Sequence, residues 1–248
     1  MAQEEKGFKP DFENGGFWEY YKDLERQFES FLEYVPYLKD NESTYSFRLA
    51  NIIVAIGAHI DSALKKIAED PNFSGKYPEM INPKVKKGKN KGGPRDQELM
   101  DYYPISEEYK LYEKVVVFKC LPYRENVSPF KEYQKELGKV PYWWSSYNGI
   151  KHNFGNNFKI ADIKTIRDAL AGAFLLNVIY EPATNRLDKY GLVKDKYPRS
   201  CVKENNFFRG KCRQTKFTAI PDYAFDCFIE TPLFIYTFDY EKVKDTTL

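Results

Sequence analysis

Two tryptophans, an amide, a lysine and a histidine fall within ten residues near the middle of this chain, at positions 143–152. If this segment is helical, its polar side chains share one face, because residues three and four apart are neighbours on a helix. Such a face combines an aromatic wall, a hydrogen-bonding amide, a fixed cation and a type of side chain that titrates near neutrality. This set favours a phosphate, a nucleotide or RNA as ligand. The face carries Trp144, Asn148, Lys151 and His152.

The same residues also have structural interpretations. His152 could hydrogen-bond a neighbouring backbone group or carboxylate, and Asn148 could cap a helix or join two helices. Trp143 and Trp144 suit packing in the core or at a dimer interface as well as stacking on a base. Tyr147 likewise suits a packing role. We therefore predict His152, Lys151 and Asn148 as catalytic candidates and keep Tyr147 and Trp144 as candidate binding residues.

A second basic feature lies in residues 70–104, which are rich in proline and glycine and contain a lysine cluster. The composition predicts a mobile basic insertion, either a solvated loop or a loop that contacts phosphates. Lys86, Lys87 and Lys89 are the binding candidates there. Because the formal net charge of the chain is only +2, a site for a polyanion has to be local.

Other chemistries lack their motifs in this sequence. The four cysteines form no Cys-x-x-Cys pair, so we expect reduced thiols and no metal site. A Gly-rich phosphate loop, Gly-x-Ser-x-Gly and His-Glu-x-x-His are missing, and we expect no cofactor. Residues 1–6 are charged, and no run of 18 apolar residues occurs. We therefore expect a cytoplasmic protein without a membrane span or secretory signal.

Helical spacing of apolar residues predicts the elements that position the 143–152 segment. The spacing is clear over 17–35, over 45–67, where it is longest, and over 160–180. His59 lies in the second of these helices and is expected to be a hydrogen-bonded core histidine. The predicted core comprises Leu24, Phe28, Phe31, Leu49, Ile53, Ile56, Ile60, Leu64, Leu170, Phe174 and Ile179.

The amino-acid composition of the sequence changes after residue 181. Aromatic and β-branched residues dominate 202–213 and 216–238, which predicts strands, and 115–118 is a shorter β-like run. We predict a mainly α fold, an antiparallel bundle of four to five helices with a small C-terminal β-rich extension. The expected organisation is a flexible N-terminus (1–16), a helical domain (17–180, including the 70–104 insertion) and the extension (181–248).

The order of these motifs resembles that of the HEPN-like helical proteins of prokaryotes over residues 17–180. The resemblance rests on Tyr45-Ser46 leading a helix that contains Ile60-Asp61, then on Pro129-Phe130, and then on an Ala/Leu-rich helix. It is most specific in Trp143-Trp144-x-x-Tyr147-Asn148-x-Ile150-Lys151-His152, which resembles a branch with a Trp-Trp-x-x-Tyr-Asn-x-x-Lys-His box.

The resemblance implies a helical bundle that dimerises and, in active members, a metal-independent ribonuclease. The family motif is an Arg followed by a polar residue and, a few positions on, a His. The polar position matches Asn148 and the His matches His152, whereas Tyr147 stands at the Arg position. Cleavage requires a cation to stabilise the charged phosphorane, so the loss of Arg predicts weak or absent catalysis. By the same resemblance, Asp61 is a candidate to orient His152.

Three hypotheses follow. The first is a HEPN-like binding protein that holds RNA or a nucleotide phosphate through Asn148, Lys151 and His152 without efficient cleavage. The second is a metal-independent endoribonuclease that uses His152 as acid and base in a toxin–antitoxin or phage-defence system, with a protein antitoxin as partner. The third is a structural protein whose box forms a dimer interface. The small residues at 169–173 predict a homodimer, because they let another helix approach closely.

Overall fold

The longest helix, α2 (Phe47–Glu69), lies at the centre of a mainly α-helical fold. Ser46 caps it, because its side chain accepts a hydrogen bond from the Leu49 N–H at 3.1 Å. Its apolar residues recur at helical spacing and pack against α1 (Gly16–Leu32), α5 (Tyr142–His152) and α7 (Ile163–Ile179). The computed structural model describes residues 16–80, 84–85, 94–95, 98–120, 123–180, 187, 191–195 and 226–239.

Helix α7 is buried on all sides. Every residue of the helix except Lys164 is buried, which is typical of a helix enclosed by other elements. Asp162 caps it by accepting a hydrogen bond from the Thr165 N–H at 2.8 Å. Together α1, α2 and α7 confirm the predicted core. All eleven predicted core residues are buried: Leu24, Phe28, Phe31, Leu49, Ile53, Ile56, Ile60, Leu64, Leu170, Phe174 and Ile179.

The described strands form one five-stranded antiparallel sheet and one two-stranded ribbon. The sheet has the order β4-β3-β7-β6-β5, and β7 pairs with β3 through Val117–Ile235 and Phe118–Phe234. Strand β3 precedes residue 181 and strand β7 follows it, so the sheet joins the predicted helical domain to the predicted C-terminal extension. The strands are β1 (Lys84–Val85) and β2 (Pro94–Arg95) in the ribbon, and β3 (Val116–Cys120), β4 (Tyr123–Val127), β5 (Val193–Asp195), β6 (Asp226–Glu230) and β7 (Phe234–Asp239) in the sheet.

A buried carboxylate joins this sheet to the helices. Glu25 of α1 accepts hydrogen bonds from the Thr231 hydroxyl at 2.5 Å and from the Leu233 N–H at 2.9 Å, both in the turn between β6 and β7. Phe234 stacks against Phe174 of α7, with ring centroids 5.8 Å apart. The late strands thus complete the helical core through polar and apolar contacts. Residues 202–213 lie outside the described part of the chain.

The described parts of the predicted basic insertion at 70–104 contain regular structure and buried residues. It contains α3 (Pro71–Lys76), the β1–β2 ribbon and two 3₁₀ turns (Pro78–Met80 and Leu99–Tyr102), and α4 (Tyr103–Glu108) begins at its end. Phe73, Met80, Leu99 and Tyr102 are buried in the core, so apolar residues on both sides of the lysine cluster anchor this segment. The expectation of a loop throughout was therefore wrong for these parts. Lys86, Lys87 and Lys89 lie outside the described residues.

By length and composition alone, one described helix could cross a membrane. It is α2, and slightly more than half of its most apolar window is buried inside the protein. The core helix of a soluble protein passes the same test, and α2 is the helix on which α1, α5 and α7 pack.

Candidate functional site

Helix α5 contains residues 143–152, and these residues lie in two different environments. Trp143, Trp144, Tyr147 and Ile150 are buried, whereas the side chains of the last turn are exposed. The helix face predicted from the sequence therefore begins with the buried Trp144 and ends with the exposed Lys151 and His152.

Both tryptophans pack within the chain. The Trp143 indole N–H donates to the Pro129 carbonyl at 2.8 Å, and its ring meets Phe130 edge-on with centroids 5.6 Å apart. Trp144 packs on the Tyr147 ring with centroids 4.9 Å apart and is itself buried. The packing interpretation describes these two residues, and burial leaves Trp144 poorly placed to stack on a base.

Tyr147, which stands at the position of the family Arg, is held against α2. It is buried, and a Cβ atom added to Gly57 would overlap its ring. Gly57 is therefore the residue that lets this ring lie on the backbone of α2. The Lys151 ammonium lies 5.4 Å from the centroid of the same ring, and the lysine side chain is exposed to solvent. A phenol in this position fills space between two helices and presents no cation.

The polar residues of the box lie at the free end of α5. Asn148 is half-buried, and Lys151 and His152 are exposed. The two basic residues occupy the last turn, where the helix dipole favours positive charge. The structure therefore leaves the predicted catalytic candidates accessible to a ligand.

Asp61 is not brought together with His152. Its carboxylate accepts from the Lys65 ammonium at 2.6 Å, one helical turn along α2. Within the described part of the chain, no hydrogen bond joins Asp61 to His152. This local ion pair follows from the spacing of the two residues, because oppositely charged side chains four apart are neighbours on a helix.

An aromatic cluster adjoins the end of α5, and sequence reasoning did not single it out. The chain continues through α6 (Phe154–Asn157) and the 3₁₀ turn Phe158–Ile160. Asn157 ties this segment to α5, because its side-chain amide donates to the Gly149 carbonyl at 2.7 Å. Phe47 lies against it and is 61% exposed. We call the following set the basic aromatic surface: Tyr45, Phe47, Lys151, His152, Phe154, Phe158 and Lys159.

The sequence held an electrostatic signal for this surface. Neither 43–60 nor 137–161 contains an Asp or Glu, although 30% of the chain is charged. Arg48, Lys139, Lys151 and Lys159 are the Lys and Arg residues of these two segments. These two segments are therefore basic by composition, in contrast with the nearly neutral chain, and Asp162, which forms a β-bridge with Tyr45, is the carboxylate that follows the second of them.

A different polar set lies at the beginning of α5. Arg167 is buried and donates from Nη1 to Glu125 at 2.7 Å, and from Nε to Asp168 at 2.7 Å. Tyr142, the first residue of α5, donates to the other Asp168 oxygen at 2.6 Å. We call this set the charge cluster, and it comprises Tyr37, Lys39, Glu42, Glu125, Tyr142, Arg167 and Asp168.

The charged groups of the charge cluster are paired with one another. Burial would raise the pKa of Glu42, but hydrogen bonds from Tyr37 and Lys39 and the charge of Arg167 outweigh burial and lower it. The pKa of Glu125 is lowered in the same way. Two cations thus bind three carboxylates inside one hydrogen-bonded network, which leaves one net negative charge, and the pairing indicates a structural role. Elsewhere too, no group of three or more His, Cys, Asp or Glu side chains in the described residues is arranged to hold a metal.

The two histidines of the chain have different environments. His59 of α2 is buried between the rings of Phe17 and Tyr20, and its Nε2 lies 3.0 Å from the Asn177 amide nitrogen. Burial lowers the pKa of His59 to about 4, so the ring is neutral at physiological pH. The prediction of a hydrogen-bonded core histidine is confirmed.

The small residues of α7 do not form a free face. Ala169, Ala171 and Ala173 are fully buried within the chain. A Cβ atom on Gly172 would lie 3.1 Å from the Trp143 ring, so the small residues make room for α5 and for Phe130. The observation that indicated a homodimer thus has an explanation within one chain, and the homodimer stays a prediction.

The search for related proteins gives no further identification. Comparison with protein-family models, with curated proteins and with solved structures found no match to this chain.

Proposed function

We propose that this chain is a HEPN-like protein that binds RNA or a nucleotide phosphate through the exposed end of α5. Asn148, Lys151 and His152 are the proposed binding residues. The observation that supports this most directly is the split of the box. Its aromatic residues are buried, while its lysine and histidine are exposed beside segments that contain no carboxylate.

The charge distribution favours a polyanion as ligand. Lys151 and Lys159 lie in a segment of 25 residues, 137–161, without Asp or Glu. Local potential, rather than net charge, determines where phosphates bind, because exposed charges more than about 10 Å apart are largely screened at physiological salt. The mainly α fold is compatible with the HEPN resemblance, which itself stays a prediction.

The same geometry argues for weak or absent cleavage. Attack of a 2′-hydroxyl on a phosphate needs a group that handles the proton and a cation near the developing negative charge. His152 could act on the proton, but Tyr147 at the family Arg position is buried against Gly57. Lys151 is exposed, yet an ammonium lacks the forked geometry of a guanidinium.

A metal-independent endoribonuclease is the second candidate, because His152 is exposed and directly follows Lys151. In the resembled family such enzymes act as toxins or in phage defence, in which case a protein antitoxin is the expected partner. The third hypothesis, a purely structural box, requires His152 and Asn148 to be buried together. Within one chain His152 is exposed, so the box is not closed inside the protein, and a dimer interface built from it stays a prediction.

Binding and cleavage can be tested on the same protein. We expect the wild type to bind labelled single-stranded RNA, and Lys151→Ala to reduce the slope of log affinity against log salt by about 0.7, the value for one phosphate contact on a single strand. Lys135→Ala is the matched control, because Lys135 is exposed but lies between Glu132 and Glu136. An equal loss in both variants would contradict a local site.

Cleavage is tested by incubating the purified protein with total RNA in EDTA beside His152→Ala. Intact RNA in both lanes is expected for a binding protein. Cleavage by the wild type that survives chelation and disappears in the variant would establish the nuclease instead.

A further inference from the structure

The aromatic rings beside the end of α5 are arranged as a stack at the surface. Phe47 and Phe158 lie with ring centroids 4.4 Å apart and planes 28° apart. Phe154 is nearly parallel to Phe47, with centroids 6.2 Å apart and planes 12° apart. Tyr45 meets Phe158 edge-on at 5.8 Å. Four rings from two segments of the chain thus form one continuous group.

Three of the four rings are exposed, whereas Phe158 is partly buried and packs against the core. Phe47 is 61% exposed, Tyr45 is 44% exposed and Phe154 is 36% exposed. Single exposed apolar side chains are ordinary, but a contiguous exposed patch marks a binding surface. Tyr45 and Phe47 lie just before and at the beginning of α2, and Phe154 and Phe158 follow the end of α5. These two helices are in contact where the Tyr147 ring lies on Gly57. The position of the patch is therefore fixed by packed elements.

Basic side chains lie near the rings. The Lys159 ammonium lies 6.0 Å from the centroid of the Tyr45 ring, whereas Arg48, which follows Phe47 in the chain, donates to the Gln27 carbonyl of α1 at 3.3 Å. Lys151 and His152 precede Phe154 by three and two residues. The two segments that supply the rings lack carboxylates throughout 43–60 and 137–161. An apolar protein partner requires no such excess, whereas a nucleic acid strand presents bases to rings and phosphates to cations.

We infer that Tyr45, Phe47, Phe154 and Phe158 form a stacking platform for the unpaired bases of single-stranded RNA. The strand's phosphates lie along Lys151, His152 and Lys159. This inference rests on the proposed function and specifies its substrate class as single-stranded rather than double-stranded RNA. Bases in a duplex have their faces covered by neighbours, so only a single strand can stack on protein rings. Recognition by ring faces tolerates many sequences, because every base has a π-face.

The test separates stacking from charge. The probe is a fluorescein-labelled oligo(U) of roughly 12 nucleotides, within the range that one single-strand site covers. Its affinity is measured by fluorescence anisotropy for the wild type, Phe47→Ala, Phe47→Trp and Tyr34→Ala. Tyr34 is the matched control, because it is an aromatic residue that is 78% exposed and lies outside the basic aromatic surface.

We expect Phe47→Ala to weaken binding by between about 5-fold and 150-fold, the range for loss of one base–aromatic stack. The salt slope should stay unchanged, Phe47→Trp should retain the affinity, and Tyr34→Ala should bind like the wild type. A blunt-ended RNA duplex of the same length should bind more weakly than the single strand. Unchanged far-UV circular dichroism excludes unfolding as the cause, as the exposure of Phe47 predicts.

Other outcomes would overturn the inference in distinguishable ways. If Phe47→Ala binds like the wild type while Lys151→Ala is weakened, RNA binding stands and stacking is wrong. Equal affinity of the wild type for duplex and single strand would also refute stacking. If no RNA binds at all, the proposed function fails together with the inference. A dimeric wild type that Phe47→Ala converts to a monomer would assign the rings to an interface between two copies of the chain.

Discussion

The two ends of α5 carry polar groups of opposite character. At its beginning, Tyr142 joins the charge cluster, in which Arg167 and Lys39 are paired with carboxylates. At its end, Lys151 and His152 reach the surface beside rings and without carboxylates in their segment. The contrast is one of pairing. A set whose charged groups bind one another stabilises the fold, whereas an exposed set without such pairs is the better candidate to bind an oppositely charged ligand.

The largest effect is expected from Arg167→Leu at the buried end. Removing this guanidinium leaves Glu42, Glu125 and Asp168 without their shared partner, and breaking a buried pair from one side costs about 3–5 kcal/mol. The free energy of unfolding from urea denaturation measures the change. Arg26→Leu is the control, because the Arg26–Asp23 pair is exposed and should contribute less than about 1 kcal/mol. Similar losses in both variants would remove the distinction between the two kinds of charge.

The two histidines extend the comparison to pH. The unfolded chain protonates His59 below about pH 6.5, whereas burial holds the pKa in the folded protein at about 4. Stability is therefore complete above pH 6.5 and falls as the pH drops towards 4, by about 3 kcal/mol in total. His59→Phe keeps a ring between Phe17 and Tyr20 and should remove this pH dependence from urea titrations.

Asn177→Ala provides the matched control for this pH dependence. It removes the neighbour of the His59 ring but leaves a buried histidine, so the variant should be less stable at every pH and keep the slope. If the unfolding free energies of the wild type and His59→Phe changed equally between pH 4 and 6.5, the folded protein would protonate His59 without penalty and the lowered pKa would be wrong.

The contact between α2 and α5, which holds both ends of α5 in place, comes next in size. Gly57→Ala places a methyl group where the Tyr147 ring lies, and overpacking of this kind costs about 1–3 kcal/mol despite the better helix propensity of Ala. Gly75→Ala is the control, because an added Cβ there has open space around it. The double variant Gly57→Ala/Tyr147→Ala should lose less free energy of unfolding than the sum of the losses in the two single variants, because the added methyl group no longer meets a ring. Independent effects of the two changes would contradict the contact.

The core could be predicted from the sequence because its signal is local. Apolar residues at helical spacing identified the buried faces of α1, α2 and α7, and all eleven predicted core residues are buried. The same reasoning found the box but not its division, because spacing shows which residues share a face and not where a helix end emerges. The partner of Asp61 could have been predicted from Lys65 four residues later.

The rest depends on contacts between residues far apart in the chain. Arg167 meets Glu125 and Glu42 across 42 and 125 positions, and β7 pairs with β3 across more than 100. No periodicity encodes such pairs. The rings of the basic aromatic surface are likewise supplied by two distant segments, although the lack of carboxylates in both was visible in the sequence.

The smallest effect on stability is expected at the exposed end of α5. Lys151 and His152 are exposed, and substitutions at exposed positions without special contacts usually change stability by less than about 0.5 kcal/mol. His152→Ala should therefore unfold in urea like the wild type, even where RNA binding is weakened, whereas Lys151→Ala also loses its contact with the Tyr147 ring and should lose up to about 1 kcal/mol. If His152→Ala instead lost several kcal/mol, His152 would be a structural residue like Arg167. The contrast between the two ends of α5 would then disappear, because both ends would serve to hold the fold together.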